Sequence, residues 1–493
     1  MGRVIGIDLG SSGARAAAVS PDGVTRCWAH EHFPEASTWP AGRADPKAWL
    51  SGLDRVLQAV VSFDAEVAAI GIGGQAPTTV PMGDQFAVTC RSPVGSGLSR
   101  RDQHVAQHVF LEKELGCAVV PAQSWDWALR KLGADNIQGL WPAEELLPGF
   151  GEPVGVGTII GESDGSLGVR KGIPLVSGSS DAYMSFWAGG LGEPGRGLDP
   201  GGRTGGLGVA VLAADRPEEL YGFPGAVADV EVVGGPVNGH GELLEWGAAV
   251  SGKTIPELLA VAELVPAGSD GVLVLPYQDG ERAPRWETRL SGEIYGLNFN
   301  TGVPEIARAV LECAAYGLRH IYEELKAVGV EMDVLTCGGS PAKSRLWNSI
   351  KASVLEVPVD VSDQPEQMSA YGCALAAGAG VGWWDGVGAD DMGSWPLPPR
   401  SRVEPEPSKK YHEGYERFVA LGDASVARLN RISSASFKNR SLAVRQRVFL
   451  RPQSPMGSLQ VMMTGCMLTL SNLSNSALPP ESPFSASPDI SSP

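Results

Sequence analysis

The chain has 493 residues, 43% of them hydrophobic, with 56 acidic residues against 39 Lys and Arg for a formal net charge of −17. That length allows two or three domains of roughly 100–200 residues and a large buried core. The acidic balance argues against nucleic acid or an anionic membrane as the main partner. Seven scattered cysteines with no C-x-x-C pair point to free thiols rather than a disulfide framework or a zinc site. No basic-then-apolar leader opens the chain and no window is apolar enough to span a bilayer, so a cytoplasmic protein is expected.

The first informative segment is Val4–Val19. A short apolar strand, Val4–Ile7, delivers Asp8 into a turn of Gly10, Ser11, Ser12 and Gly13, and a second apolar run, Ala16–Val19, reads as the return strand of a hairpin. A carboxylate at a strand tip can hold Mg²⁺, usually through water. The N–H groups and hydroxyls of such a turn can cradle phosphate oxygens, and Arg15 is placed to reach a terminal phosphate. An ordinary hairpin with a polar turn is the plain alternative.

Val67–Ile72 reads as a strand ending in Gly73-Gly74-Gln75, with Thr78–Met82 as its hairpin partner. Helical periodicity marks Pro46–Phe63 and Asp102–Leu115. Ile173–Ser177 is a buried strand entering Gly178-Ser179-Ser180-Asp181, and the apolar helix Ala182–Leu191 follows. Asp181 therefore sits at a helix N-terminus, where an acid is commonly a cap. It is also where a carboxylate could accept the proton of an attacking hydroxyl.

The Gly/Pro-rich passage from Gly189 to Gly208 breaks the chain into two parts. Beyond it come a strand at Gly208–Leu212, helices near Glu242–Ser251 and Ile255–Val265, and a strand at Val272–Pro276. A long helix at Val303–Val328, a strand at Val334–Cys337 and a helix at Ser344–Leu355 complete the pattern. Gly201-Gly-Arg-Thr-Gly-Gly206 is a second phosphate-type turn, or a flexible linker. Cys337-Gly338-Gly339-Ser340 would let a flat ring lie against bare backbone. Two such turns in two halves hint at a duplicated α/β core around a cleft. The stretch from about Ile432 is Ser/Pro-rich and aperiodic, and is read as disordered or foreign to the fold.

Taken in order, Asp8-Leu-Gly-Ser-Ser-Gly-Ala-Arg15, Gly73-Gly-Gln75, Gly178-Ser-Ser-Asp181, Gly202-Arg-Thr-Gly205, Gly280-Glu-Arg-Ala-Pro284 with Trp286, and Gly338-Gly339 resemble the FGGY carbohydrate kinases, xylulokinase-like members most closely. The resemblance covers roughly residues 3 to 425. It implies an α/β fold of the actin/hexokinase type, a two-domain ATPase with a ribonuclease H-like motif duplicated about a central cleft. The expected division is 1–192 for the sugar-binding and catalytic domain, 193–430 for the nucleotide-binding domain, and 431–493 for the tail.

The resemblance places Asp181 on the catalytic base and Asp8 on the magnesium-associated acid. Gly10, Ser11, Ser12, Gly13 and Arg15 fall on the first phosphate motif, Gly202, Thr204 and Gly205 on the second, and Gly338 and Gly339 on the adenosine motif. The segment Glu366–Ala374, with Gly372, resembles the closing helix. Gln75, Arg100 and Glu281 are assigned to the sugar side.

The expected activity is ATP- and Mg²⁺-dependent phosphorylation of a ketopentose or related polyol hydroxyl, D-xylulose being the first guess. A catalytically impaired nucleotide- or sugar-binding pseudokinase is the alternative. The expected partner is a small sugar, with a homodimer kept open and neither nucleic acid nor membrane involved. Three departures stand out. Ala76-Pro77 replaces the common Met-His, the Trp-x-Asp-x-Arg sugar motif is absent near Gly97–Arg101, and the first domain is shortened between Leu115 and Trp125.

Overall fold

The structure is a computed structural model. It describes the chain except residues 1, 34–38, 41, 62–65, 84, 90–91, 96–99, 140–146, 148, 228, 385–394 and 437–493. The expected tail therefore lies almost wholly outside the described residues, although the helix Lys409–Ser436 runs a few residues past its expected start.

Two β-sheets organise the described residues. The first has the strand order Ile159–Glu162, Pro174–Ser180, Val67–Gly74, Arg3–Leu9, Gly13–Val19, Thr25–His32. The second has the order Arg400–Val403, Val359–Ser362, Val334–Cys337, Arg196–Asp199, Gly205–Leu212, Val230–Val237, Phe223–Pro224. Both repeat one plan. A three-stranded antiparallel meander (Arg3–His32 in one, Arg196–Val237 in the other) has two further strands added in parallel beside its first strand. The duplication hinted at by the two glycine turns is thus a repeat of topology.

The parallel strands are buried along nearly their whole length, as strands covered on both faces must be. On one face of the first sheet the amphipathic helix Pro46–Val61 buries Trp49, Leu53, Val56, Leu57 and Val60. On the other lies Met368–Gly380, a helix of small residues that comes from the far half of the chain. Its closeness is set by glycines. A Cβ on Gly6 would fall 2.0 Å from the Ala370 carbonyl oxygen, and one on Gly372 would fall 1.8 Å from that of Met184. Met184 belongs to the helix Asp181–Gly189, which starts on the Ser180 side-chain cap and stops at the left-handed Gly190.

Thr79–Pro81 does not pair with Val67–Gly74 as a hairpin. It joins a small separate sheet with Arg43–Ala44, Ala87–Val88 and Pro121–Gln123. The neighbours of Val67–Gly74 on both sides are already the parallel strands Arg3–Leu9 and Pro174–Ser180, which leaves no free edge for a hairpin. Between Leu115 and Trp125, residues 116–120 alone link the helix Arg100–Leu115 to the strand Pro121–Gln123. Val109 and Val120 are 58% and 56% exposed there.

Because the seam between the helix Met368–Gly380 and its neighbours has no room for one methyl group, Gly372→Ala should destabilise the protein by about 3 kcal/mol. Thermal denaturation of the variant against the parent checks this.

Candidate active site

Asp8 and Asp181 end up at the same end of the first sheet. Asp8 is next to last in its strand and lies beside Gly73, while Ser180, just before Asp181, lies beside Gly74. One glycine-ended strand separates the two acids, a spacing of about 10 Å at the usual strand separation. Cys373 packs behind this gap, 2.8 Å from where a Gly73 Cβ would stand. Burial, and then the charges of Asp8 and Asp181, push its thiol up. Both carboxylates therefore act on one point of the helix Met368–Gly380.

The Asp8 carboxylate is 3% exposed and asymmetrically held. Its Oδ2 accepts from Arg15 Nη1 at 3.2 Å and from Ser369 Oγ at 2.6 Å, while its buried Oδ1 has no partner. An unpartnered buried carboxylate oxygen at a strand end suits a hydrated cation. Among the described residues no group of three or more His, Cys, Asp or Glu could hold a metal, so such an ion would need water and phosphate oxygens for its remaining ligands. Arg15 faces Asp8 across the hairpin. Gly10 and Gly13 close the turn through a 3.0 Å backbone hydrogen bond, with Ser11 and Ser12 half-buried at its tip.

At Asp181 the Oδ1 accepts the Ala182 N–H at 2.8 Å, so the acid begins the helix while Ser180 caps it. The ends of these strands also gather buried polar atoms without partners: both amide atoms of Gln75, Thr78 Oγ1, Trp125 Nε1 and Ser179 Oγ. Buried polar groups are ordinarily hydrogen-bonded. A set of this kind at the carboxyl ends of parallel strands suits a ligand rich in hydroxyls.

The other glycine turns lie at the corresponding end of the second sheet and touch each other. A Cβ on Gly201 would fall 2.0 Å from the Gly338 carbonyl oxygen, and one on Gly339 would fall 2.7 Å from the Gly202 nitrogen. Gly202 and Gly339 both have positive φ, at 91° and 70°, so side chains are disfavoured by conformation at both and by space as well at Gly339. Thr204 and Gly205 complete the turn, and Gly205 opens the strand Gly205–Leu212. Arg203 leans outward to Glu242 and Glu245 at 3.5 and 3.1 Å.

Two sugar-side assignments are placed less simply. Arg100 opens the helix Arg100–Leu115, but its side chain lies outside what is described. Glu281 is buried in the second half, where it accepts from Arg285 at 2.8 Å beside Tyr277. Burial pushes its carboxyl up to about 7 against the opposing pull of Arg285.

Two features went unread in the sequence. Ser369 bonds across 361 positions to Asp8, and nothing local marks it. Asp199, His240 and Lys351 form a buried charged cluster under the second turn. The sequence does hold a signal for Asp199, because Asp199-Pro-Gly201 repeats the spacing of Asp8-Leu-Gly10.

Comparison with known proteins agrees with this architecture. Residues 219–381 match the FGGY family of carbohydrate kinases, C-terminal domain. A ribulokinase of Halalkalibacterium halodurans is 29% identical over 301 residues, 54% of this chain and 51% of the relative. A glycerol kinase of Gloeobacter violaceus is 25% identical over 450 residues, 78% of this chain and 89% of the relative. The chain thus spans about half the length of the ribulokinase it matches. A ligand-bound xylulose kinase of Lactobacillus acidophilus superposes with a TM-score of 0.72 at 18% identity, over 88% of this chain and 100% of the other. The fold is the two-sheet α/β architecture of the actin/hexokinase-like ATPases. The chain is a relative of the FGGY carbohydrate kinases, as its ordered motifs imply.

The Glu281 carboxyl gives a pH test. Its folded value of about 7 lies above the ordinary 4.5, so its contribution to stability is full below the ordinary value and is lost as pH rises through 7. Glu281→Gln should therefore gain stability relative to the parent as pH goes from 5 to 8, read by denaturant midpoints at each pH.

Proposed function

We propose that this protein transfers the γ-phosphoryl group of ATP to a hydroxyl of a ketopentose or related polyol, with D-xylulose the first substrate to try. The observation that carries the reading is the pairing of Asp8 and Asp181 at the ends of parallel strands, one glycine-ended strand apart. The unpartnered polar atoms of Gln75, Trp125 and Ser179 beside them support it. The family match and the kinase names of the relatives point the same way. A catalytically impaired relative finds no support in those comparisons.

In this reading Asp181 accepts the proton of the attacking hydroxyl, which makes the oxygen a competent nucleophile as the bond to phosphorus forms. Asp8 presents its Oδ1 toward the phosphates, fixed in that orientation by Arg15 and Ser369. Asp8 would hold Mg²⁺ through water, and the bound ion would supply positive charge to offset that of the phosphates. The turn at Gly10, Ser11, Ser12 and Gly13 and the turn at Gly202, Thr204 and Gly205 supply N–H groups for the phosphates. Gly338 and Gly339 offer bare backbone to the adenine, and Gln75 binds sugar hydroxyls. Arg100 and Glu281 remain assigned to the sugar side through movement of one half against the other, which would also keep water from the phosphoryl group.

The proposed domain limits are 1–192 and 193–430. The five described cysteines are all free thiols, which suits the cytoplasm. No helix among the described residues is long and apolar enough to cross a membrane.

Asp181→Asn separates chemistry from binding. Turnover should fall by at least about 100-fold, the usual contribution of a general base, while calorimetric affinity for Mg·ATP stays at the parent value. Loss of both together would mean that Asp181 supports the structure rather than the reaction.

A further inference from the structure

Each half of the molecule has an aspartate at or beside the end of its first strand, two residues before a glycine: Asp8 before Gly10 and Asp199 before Gly201. Asp8 leaves an oxygen unpartnered. Asp199 does not. Its Oδ2 accepts from Lys351 Nζ at 2.6 Å and lies 3.1 Å from His240 Nε2, while its Oδ1 accepts the Gly201 N–H at 3.0 Å. All three side chains of the cluster are fully buried.

The cluster is packed as well as bonded. The His240 ring stacks on Trp347 at 4.8 Å, and Lys351 Nζ lies 4.9 Å from the centre of the same indole. Burial pushes His240 down, against the opposing pull of Asp199. Burial also opposes the charges of Asp199 and Lys351, and their attraction overcomes it in both, holding the acid low and the amine high. A buried ion pair is weak as a source of stability, because desolvation offsets most of its attraction. Its geometry is the more informative property.

That geometry converges on one turn. Asp199 fixes the N–H of Gly201. The Nδ1 of His240 is buried without a partner, 2.6 Å from where a Cβ of Gly205 would stand. The residue after His240 starts the helix Gly241–Ser251, whose Gly241 and Glu242 N–H groups donate to the carbonyls of Gly202 and Arg203 at 3.2 and 2.9 Å. Gly201, Gly202, Arg203 and Gly205 are each in contact with the cluster or with the helix it anchors.

We propose that Asp199, Lys351 and His240 are positioning residues that hold the turn Gly201–Gly206 in the shape that receives nucleotide phosphates. The inference rests on the kinase reading above. Lys351 keeps Asp199 ionised and oriented, Asp199 directs Gly201, and the His240 ring sets the depth of Gly205. Where the first half turns its aspartate toward the ligand, the second turns its aspartate inward to brace the backbone.

The test is calorimetric affinity for Mg·ADP, with a thermal melt on each variant. Asp199→Leu combined with Lys351→Met removes both charges and the acceptor for Gly201. It should weaken Mg·ADP binding about tenfold, the equivalent of one hydrogen bond. Asp199→Asn with Lys351→Met keeps an oxygen for the Gly201 N–H and should restore most of the affinity. His240→Ala, which opens the space behind Gly205, should weaken binding similarly and stands as the second test if the apolar pair does not fold. Glu312→Gln, in a buried ion pair with Arg308 that does not touch the turn, should lower the melting temperature and leave the affinity unchanged. Parent-like affinity in the apolar pair or in His240→Ala overturns the proposal. Absence of Mg·ADP binding by the parent chain overturns the kinase reading itself.

Discussion

The site depends on how the Asp8 carboxylate is held. Arg15, across the hairpin, and Ser369, from the far end of the fold, both bind Oδ2, which leaves Oδ1 buried and unpartnered. Ser369 can reach Asp8 only because its helix lies directly on the strand Arg3–Leu9. That approach requires Gly6, where a methyl group would overlap the Ala370 and Ala374 backbone, while Gly372 lets the helix Asp181–Gly189 pack against the same helix. A packing constraint between segments more than 360 positions apart thus fixes the orientation of the acid nearest the proposed phosphate site.

The same helix also lies behind both acids. Its Cys373 lies behind the gap between Asp8 and Asp181, where neither Gly73 nor Gly74 has a side chain to fill the space. The repeated strand order then offers two comparable aspartates, one with an unpartnered oxygen and one bonded through both oxygens. Duplication supplies two strand ends and two glycine turns, and the chemistry at each is set by what packs behind it. Ser369 and Arg15 leave Asp8 half-satisfied, whereas Lys351 and His240 leave Asp199 with nothing to offer a ligand.

Much of this was readable in the sequence because it is local. The hairpin at Asp8, the strand before Asp181 with the helix it opens, and the long amphipathic helix at Val303–Lys326 all follow from residue pattern and turn chemistry, although the cap is Ser180 and not Asp181. Thr79–Pro81 misled because alternation near a glycine looks like a hairpin, while strand pairing is decided by distant edges that are already occupied. Ser369, Lys351 and His240 could not be found from pattern at all. A serine in a small-residue helix and a lysine in an amphipathic one carry no mark of burial, and their partners are far away in the chain. Glu281 shows the opposite limit: its charged loop is visible in the sequence, but its ion pair with Arg285 is known only from the fold.

The most direct test of the central claim is ADP release from the purified chain with Mg·ATP, measured across xylulose, ribulose, glycerol and gluconate. The account predicts that at least one of these raises the rate well above the sugar-free background, with a matching phosphorylated product. A folded protein that binds ATP and shows no stimulation by any of them would contradict it.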